Sequence, residues 1–264
     1  MTLIVHLSDL HFGDHDAVIV ERIHERVLES HPGVVAVSGD LTQRARRHEF
    51  AAARRFLDDI AARGIAVVAV PGNHDVPLWN PLARSLWPYR RFSRMVDDRS
   101  IPYFQDHAVA LAGLNSARRA RFAAGRIRRR DGTALRTAFA QATGGQVRAV
   151  LVHHAPGMAR HGAVADPGES QQRQMRDLGF AGVRLVLAGH HHRSGAVTMA
   201  VAGGFPVVVV QAGTAASSRL RGEVHSFNLV TVRPGEIEVA VQRLADGRFG
   251  TASVTVCPLT PGAG

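Results

Sequence analysis

The first seventy residues alternate short apolar runs with amphipathic ones, and that rhythm restricts the fold more than any other feature of the chain. Residues 3–7, 34–37 and 65–70 read as buried strands. Between them, residues 17–30 place Val18, Ile19, Ile23 and Val27 at helical spacing, and 46–63 does the same with Phe50, Ala53, Leu57 and Ile60 before Gly64 stops it. A β-α-β-α-β order predicts a parallel sheet joined by crossovers. Ligands of such sheets gather beyond the carboxyl ends of the strands, so the residues just after each strand are the ones to inspect.

Seven ligand-type side chains lie along the chain in five short clusters, most of them just after a predicted strand: Asp9 and His11, Asp40, Asn73, His153, and His190 with His192. Carboxylate, imidazole and amide oxygen form a borderline-hard set that suits Mn, Fe, Zn or Co better than Cu(I) or Ca. Asp9 and His11, like His190 and His192, are two residues apart and so would point the same way from extended backbone. Asp40, alone in its cluster, is the natural bridge, with one oxygen for each of two ions, and each ion then takes four ligands. Two ions about 3.5–4 Å apart generate a bridging hydroxide near neutral pH and clamp a phosphoryl group during displacement. His74, beside Asn73, is then available to bind phosphoryl oxygens or protonate the leaving oxygen.

The rest of the chain reads less sharply. Residues 78–99 predict a helical excursion carrying Trp79, Leu82, Leu86, Trp87 and Phe92, more suited to packing than to stacking bases. Residues 109–114, 147–152 and 183–188 are further strand candidates, the last two running into histidines. From Pro206 the texture is β-rich, with strands expected at 206–211, 226–232, 237–244 and 251–256, and alternation such as Ile237 to Gln242 marks half-covered antiparallel strands. Neither repeat nor linker interrupts the chain, so one domain over 1–264 is expected, with 257–264 a frayed tail.

A chain of 264 residues can bury a sufficient core without staples, so a metal here would be catalytic rather than structural. Its single cysteine, Cys257, excludes an internal disulfide. No apolar stretch reaches the roughly 18 residues of a membrane span, and the start lacks the pattern of a signal peptide, so the expectation is a cytoplasmic protein. The net charge is +10 and every Lys/Arg position is arginine. Long-range attraction then favours anionic partners such as phosphoesters, a small phosphodiester or nucleotide among them, or nucleic acid, without saying which. Nucleic acid is not favoured, because no groove-reading motif accompanies the charge.

The clusters carry a family resemblance. Asp9-Leu10-His11 resembles the D-x-H motif of calcineurin-like metallophosphoesterases, Gly39-Asp40 their G-D, Gly72-Asn73-His74-Asp75 their G-N-H-D, and Gly189-His190-His191-His192 their G-H-x-H, while His153 stands where the family has a lone histidine. All five blocks occur in order between residues 9 and 192. The resemblance implies an α/β fold, a four-layer α-β-β-α sandwich of two mixed sheets. It implies Asp9, His11, Asp40 and His192 on one divalent ion, Asp40, Asn73, His153 and His190 on the other, and His74 as the catalytic histidine. The family's protein Ser/Thr phosphatases carry G-D-x-V-D-R-G and G-N-H-E. Here Gly39-Asp40 continues Leu41-Thr42-Gln43-Arg44-Ala45 and the third block ends in Asp75, which points away from that branch. Ser8 to Gly13 looks more like the small bacterial phosphodiesterases, which include class III cyclic-nucleotide phosphodiesterases and glycerophosphodiesterases. That branch implies phosphodiester hydrolysis, with cyclic nucleotides among the candidate substrates and a homo-oligomer among the candidate assemblies. A nuclease or a nucleotide-linked pyrophosphatase on the same metals is the alternative, and a scaffold that has lost the chemistry would lack ligands that this chain retains.

Substrate contacts are expected from Asn115, His191, Arg219 and Arg221. Of the neighbours His153 and His154, the family pattern favours His153 as ligand. His15 and the remaining histidines read as solvated or internally satisfied. The run Arg118, Arg119, Arg121, Arg126, Arg128, Arg129 and Arg130 reads either as a solvated face or as an anion-attracting rim.

Overall fold

Each apolar run of the first seventy residues is a strand and each amphipathic run a helix in the computed structural model, which describes residues 1–78, 80–117, 127–156, 169–201, 204–220 and 222–259. In order these are β1 (Thr2–Leu7), α1 (Ala17–Glu29), β2 (Val34–Val37), α2 (Arg47–Ala61) and β3 (Ala66–Ala69). Asp16 starts α1 by accepting the N–H groups of Val18 and Ile19. Buried Glu49 starts α2 by accepting those of Arg44 and Arg46. The three strands pair in parallel, as the alternation requires.

The expected excursion is two short helices, α3 (Pro81–Leu86) and α4 (Arg90–Met95), divided where Pro88 removes a backbone donor. Then follow β4 (Tyr103–Gln105), β5 (Val109–Gly113), α5 (Arg129–Ala138), β6 (Val147–Leu151), α6 (Glu169–Phe180), β7 (Val183–Ala188), β8 (Gly195–Met199), β9 (Val207–Gln211), β10 (Ser226–Arg233), β11 (Glu236–Ala245) and β12 (Arg248–Pro258). Cys257 and Pro258, expected in a frayed tail, belong to β12: Cys257 pairs with Ile237, and the Leu259 N–H reaches the Gly235 carbonyl at 2.8 Å. Residues 260–264 of that tail, with Trp79 and His161, lie outside the described residues.

The strands form two six-stranded sheets, β12-β11-β10-β1-β2-β3 and β4-β5-β6-β7-β9-β8. Both are mixed: β1 runs antiparallel to β10 but parallel to β2, and β5, β6, β7 and β9 run parallel between antiparallel edges. Ile4, Val34, Ala36 and Val68 of the first sheet meet Leu111, Leu151, Leu187 and Val210 of the second in a dry layer between them. The outer face of the first sheet packs under α1 and α2 through Ile23, Val27, Phe50 and Leu57. The outer face of the second packs under α5 and α6 through Leu135, Met175 and Leu178. The result is the four-layer α-β-β-α sandwich, with the carboxyl ends of β1, β2, β3, β6 and β7 opening towards one rim.

Candidate metal centre

The ligand-type residues after β1, β2 and β7 adopt backbone that L side chains seldom take. Asp9 (φ 53), His11 (φ 48), Asp40 (φ 51), His190 (φ 75) and His192 (φ 60) all lie in the left-handed region. Each such residue costs on the order of 1–3 kcal/mol and persists only where its surroundings hold it. The expectation that Asp9 and His11, or His190 and His192, share a side through extended backbone is therefore corrected. Tight turns, not strand alternation, aim them together. The turns brace one another: Asp9 N–H donates to the Gly39 carbonyl at 3.1 Å, and His11 N–H to the Asp40 carbonyl at 3.0 Å.

The seven side chains converge in two groups joined at one atom. In the first, Asp9 Oδ1 lies 3.1 Å from His192 Nε2 and 3.6 Å from His11 Nε2. In the second, Asn73 Oδ1 lies 3.0 Å from His153 Nε2 and 3.1 Å from His190 Nδ1. Asp40 Oδ2 stands 3.8 Å from His11 Nε2 and 3.3 Å from His153 Nε2, so it faces both. The other Asp40 oxygen is engaged elsewhere: Oδ1 accepts the His74 N–H at 2.8 Å. Asp40 thus offers a single oxygen to the two groups, not one oxygen to each.

This donor set fits a pair of divalent ions. Donors held at about 2.1 Å from one ion stand roughly 3–3.4 Å apart, close to most of the spacings seen. Asp9 Oδ1 and both ring nitrogens of His11 are buried without a hydrogen-bond partner. Orphaned buried groups of this kind are costly unless a ligand satisfies them. Two of the imidazoles are oriented from behind: His153 Nδ1 bonds the Ser38 carbonyl at 2.7 Å and His192 Nδ1 the Arg219 carbonyl at 3.3 Å, directing each Nε2 inward.

Electrostatics point the same way. Burial opposes ionisation of Asp9 and Asp40, but the surrounding imidazoles outweigh it, chiefly His192 and His11 at Asp9 and His153 and His11 at Asp40. Both carboxyls sit below the ordinary carboxylate range. Burial likewise opposes charge on His153, yet Asp40 beside it raises its pKa to about 9. His190, desolvated and repelled by His153, falls to about 3. The field that holds a proton between His153 and Asp40 would hold a cation there.

A shell of supporting contacts fixes the loops. Asp75, fully buried, accepts from Gly72 N (2.9 Å), Leu41 N (3.1 Å), Thr42 N (2.8 Å) and Thr42 Oγ1 (2.8 Å), tying the Asp40 and Asn73 loops together. Gly39, at φ 98, and Gly72 are where those loops pass closest. A Cβ on Gly72 would stand 2.1 Å from Asp40 Oδ1. His74 Nδ1 bonds the Gln43 carbonyl at 2.9 Å, and its ring stands edge-on to that of His11 with centroids 4.8 Å apart.

Other expected positions fare differently. Asn115 does not end its strand: β5 stops at Gly113, and Asn115 is exposed with Oδ1 accepting from Ala117 N at 3.1 Å, a turn contact. Its neighbour Ser116 is the one at the site. Buried Ser116 Oγ accepts from His153 N (3.1 Å) and His154 N (3.0 Å), a role no sequence motif announces. His154, beyond the expected ligand set, packs its ring 4.3 Å from that of His190, and His191 stands 5.1 Å from the same ring. Arg219 is paired with Asp14 at 2.9 Å, and its carbonyl, not its guanidinium, meets the candidate ligands. Among the histidines read as satisfied, His6 is buried against Ser38 Oγ (3.0 Å), and burial lowers it to about 3. Arg118, Arg119, Arg121, Arg126 and Arg221 lie outside the described residues, while Arg128 and Arg130 are exposed.

Comparison with known proteins agrees with this geometry. The family model described as calcineurin-like phosphoesterase matches residues 2–194. No curated protein matches the chain. Among solved structures, a dimetal phosphatase from Danio rerio superposes with a TM-score of 0.65 at 13% identity, over 98% of this chain and 99% of that one. A purple acid phosphatase from yellow lupin (Lupinus luteus) seeds superposes at 0.67 and 11% identity, over 100% of this chain and 57% of that one. Vacuolar Protein Sorting 29 from Cryptosporidium parvum superposes at 0.54 and 16% identity, over 97% and 98%. At these identities the likeness is one of fold.

Proposed function

The chain belongs to the calcineurin-like phosphoesterase family, and within it we propose a two-metal phosphodiesterase whose ions are held by Asp9, His11, Asp40 and His192 on one side and by Asp40, Asn73, His153 and His190 on the other. The observation that carries the reading is Asp40 Oδ2, which faces both groups at once. When bound, two such ions supply a nucleophile from water near neutral pH and neutralise phosphoryl charge.

The chain's own residues do the rest. Asp40, pinned through Oδ1, fixes the spacing of the two groups. Asp9, held through Oδ2 by Ser8 Oγ at 2.6 Å and His190 N at 3.1 Å, presents Oδ1 to the first. His74, with Nδ1 committed to Gln43, has Nε2 for the phosphoryl or leaving-group oxygen, and there it delivers the proton that departure requires. The dry layer between the sheets backs the site with low dielectric, which strengthens each of these interactions.

Diester preference is supported by the branch resemblance of the Ser8–Gly13 and Gly72–Asp75 blocks. The discriminating experiment reconstitutes purified protein with Mn, Fe or Zn and compares bis(p-nitrophenyl) phosphate, p-nitrophenyl phosphate, cyclic AMP, DNA and a UDP-linked diphosphate. Fastest turnover of the small diesters supports the proposal. Turnover that survives exhaustive chelation refutes the metal requirement. Preference for DNA or the diphosphate would instead favour the nuclease or pyrophosphatase reading, for which the net charge of +10 speaks.

A further inference from the structure

Three of the four sheet edges are short: β3 has 4 residues, β4 has 3 and β8 has 5. The fourth is β12, with 11 residues, and it closes the first sheet with no further strand beside it among the described residues. Residues 250–256 are exposed throughout, on both faces of the strand. From Gly250 to Leu259 there is no charged side chain, in a protein that is 20% charged. Long, uncharged, open edges are what soluble proteins ordinarily avoid, because they template pairing with another strand.

The hydrogen-bond register shows which peptide groups are unused. Leu244 N–H donates to His225, so even-numbered residues of β11 turn towards β10 and odd ones towards β12. Consistently, Leu259 N–H donates to Gly235. The partners of Val241, Val239 and Ile237, namely Ser253, Thr255 and Cys257, therefore turn inward to β11. Val254 and Val256 turn their N–H and C=O groups to the free edge. Pro258, without an N–H, ends this run at one side, and the bulge at Ala252 ends it at the other.

We infer that β12 is a dimerisation edge, and that its occupant is β12 of a second copy of this chain, running antiparallel about a two-fold axis at Thr255. In that register Val254 faces the partner's Val256 and Val256 the partner's Val254, giving four N–H···O bonds. The four valines, 55% and 51% exposed in the single chain, gather on one face. The two Thr255 side chains meet on the other, a favourable cross-strand pair. A strand without charges meets itself without like-charge opposition, although the protein as a whole carries +10. Self-complementarity of this kind is what a closed, isologous pair requires. The seam is short, so the dimer is expected to be weak and reversible.

The test uses the full chain in sedimentation velocity across micromolar concentrations. The expected result is a reversible shift towards twice the 28.4 kDa of one chain. Val256→Pro removes an outward N–H that β11 does not use, so the shift should vanish while thermal unfolding stays close to wild type. A second variant covers the case in which that proline disturbs folding. A two-fold at Thr255 makes it a non-hydrogen-bonded pair with Cα atoms about 4.5 Å apart, within disulfide reach. Thr255→Cys in a Cys257→Ser background should therefore form a covalent dimer under mild oxidation. A wild type that stays monomeric throughout, or a dimer that survives Val256→Pro together with no Thr255→Cys cross-link, overturns the inference.

Discussion

The backbone N–H of His74 donates to Asp40 Oδ1 at 2.8 Å, so the proposed proton donor and the proposed bridge hold each other in place. Asp40→Asn keeps an acceptor for that N–H but removes the charge from the oxygen facing both groups. Metal analysis should show at most one ion per chain, and kcat/KM should fall roughly a thousandfold, about 4 kcal/mol of transition-state stabilisation. Two ions with near-normal activity would remove Asp40 from the bridging role.

Gly72 gives a test that touches no ligand. A methyl at this position would lie 2.1 Å from Asp40 Oδ1 and 2.3 Å from Asp40 N, so the bridge must move. Gly72→Ala is expected to weaken metal binding by about 10–100-fold, the range seen when the support of a ligand is lost. Titration calorimetry with Mn or Zn measures this, and unchanged affinity would show that the loop yields without cost.

Asp75 supports rather than binds. Asp75→Ala would leave Gly72 N, Leu41 N, Thr42 N and Thr42 Oγ1 without their acceptor. The expected loss is on the order of 3–5 kcal/mol of stability, read as a lower denaturation midpoint in both metal-free and loaded protein. A loss confined to the loaded form would mean that Asp75 acts through the metals instead.

Acidity provides a fourth prediction. His153 has its pKa raised from 6.5 to about 9, because Asp40 outweighs burial. Its contribution to the stability of metal-free protein is therefore complete below pH 6.5 and is lost as pH climbs through about 9. Asp9 and Asp40, shifted the other way, contribute above the ordinary carboxylate range and lose that contribution as acid protonates them. The metal-free Tm should decline between pH 6.5 and 9, whereas a loaded protein, with a cation in the proton's place, should not. Metal uptake at pH 7 should also release protons, seen as a buffer-dependent heat. A flat metal-free profile over that window would contradict the assignment.

The architecture was readable because β1, α1, β2, α2 and β3 each declare themselves by periodicity, and the five ligand clusters follow strands that are apolar on both faces. What escaped did so for physical reasons. β4 and β8 are short, and β8 begins at Gly195 with small residues, so neither shows alternation. α5 and α6 are rich in arginine and glutamine, and their few anchors, Leu135 and Met175 among them, make too narrow a stripe to stand out. At the site, residue type and order named the ligands, but the left-handed turns that aim them leave no periodic trace. Ser116 acts through two backbone donors of a distant segment, which no local motif encodes. Arg219, an expected substrate contact, pairs its guanidinium with Asp14 and meets a candidate ligand through its carbonyl, a backbone contact that residue type does not encode.

Each of the two groups of donors draws from both sheets: His192 joins residues of the first sheet's loops in one group, and Asp40 and Asn73 join His153 and His190 in the other. Bound cations would therefore act as rivets at one rim of the sandwich, while apolar packing and direct polar contacts, Thr2 Oγ1 to Asp106 and Arg184 to the Leu259 carbonyl, already fasten the opposite rim. Stripping the metals should make the molecule hinge like a book whose spine stays glued, with amide exchange accelerating first in the turns around Asp9, Asp40 and His190 and last in β5, β6 and β7.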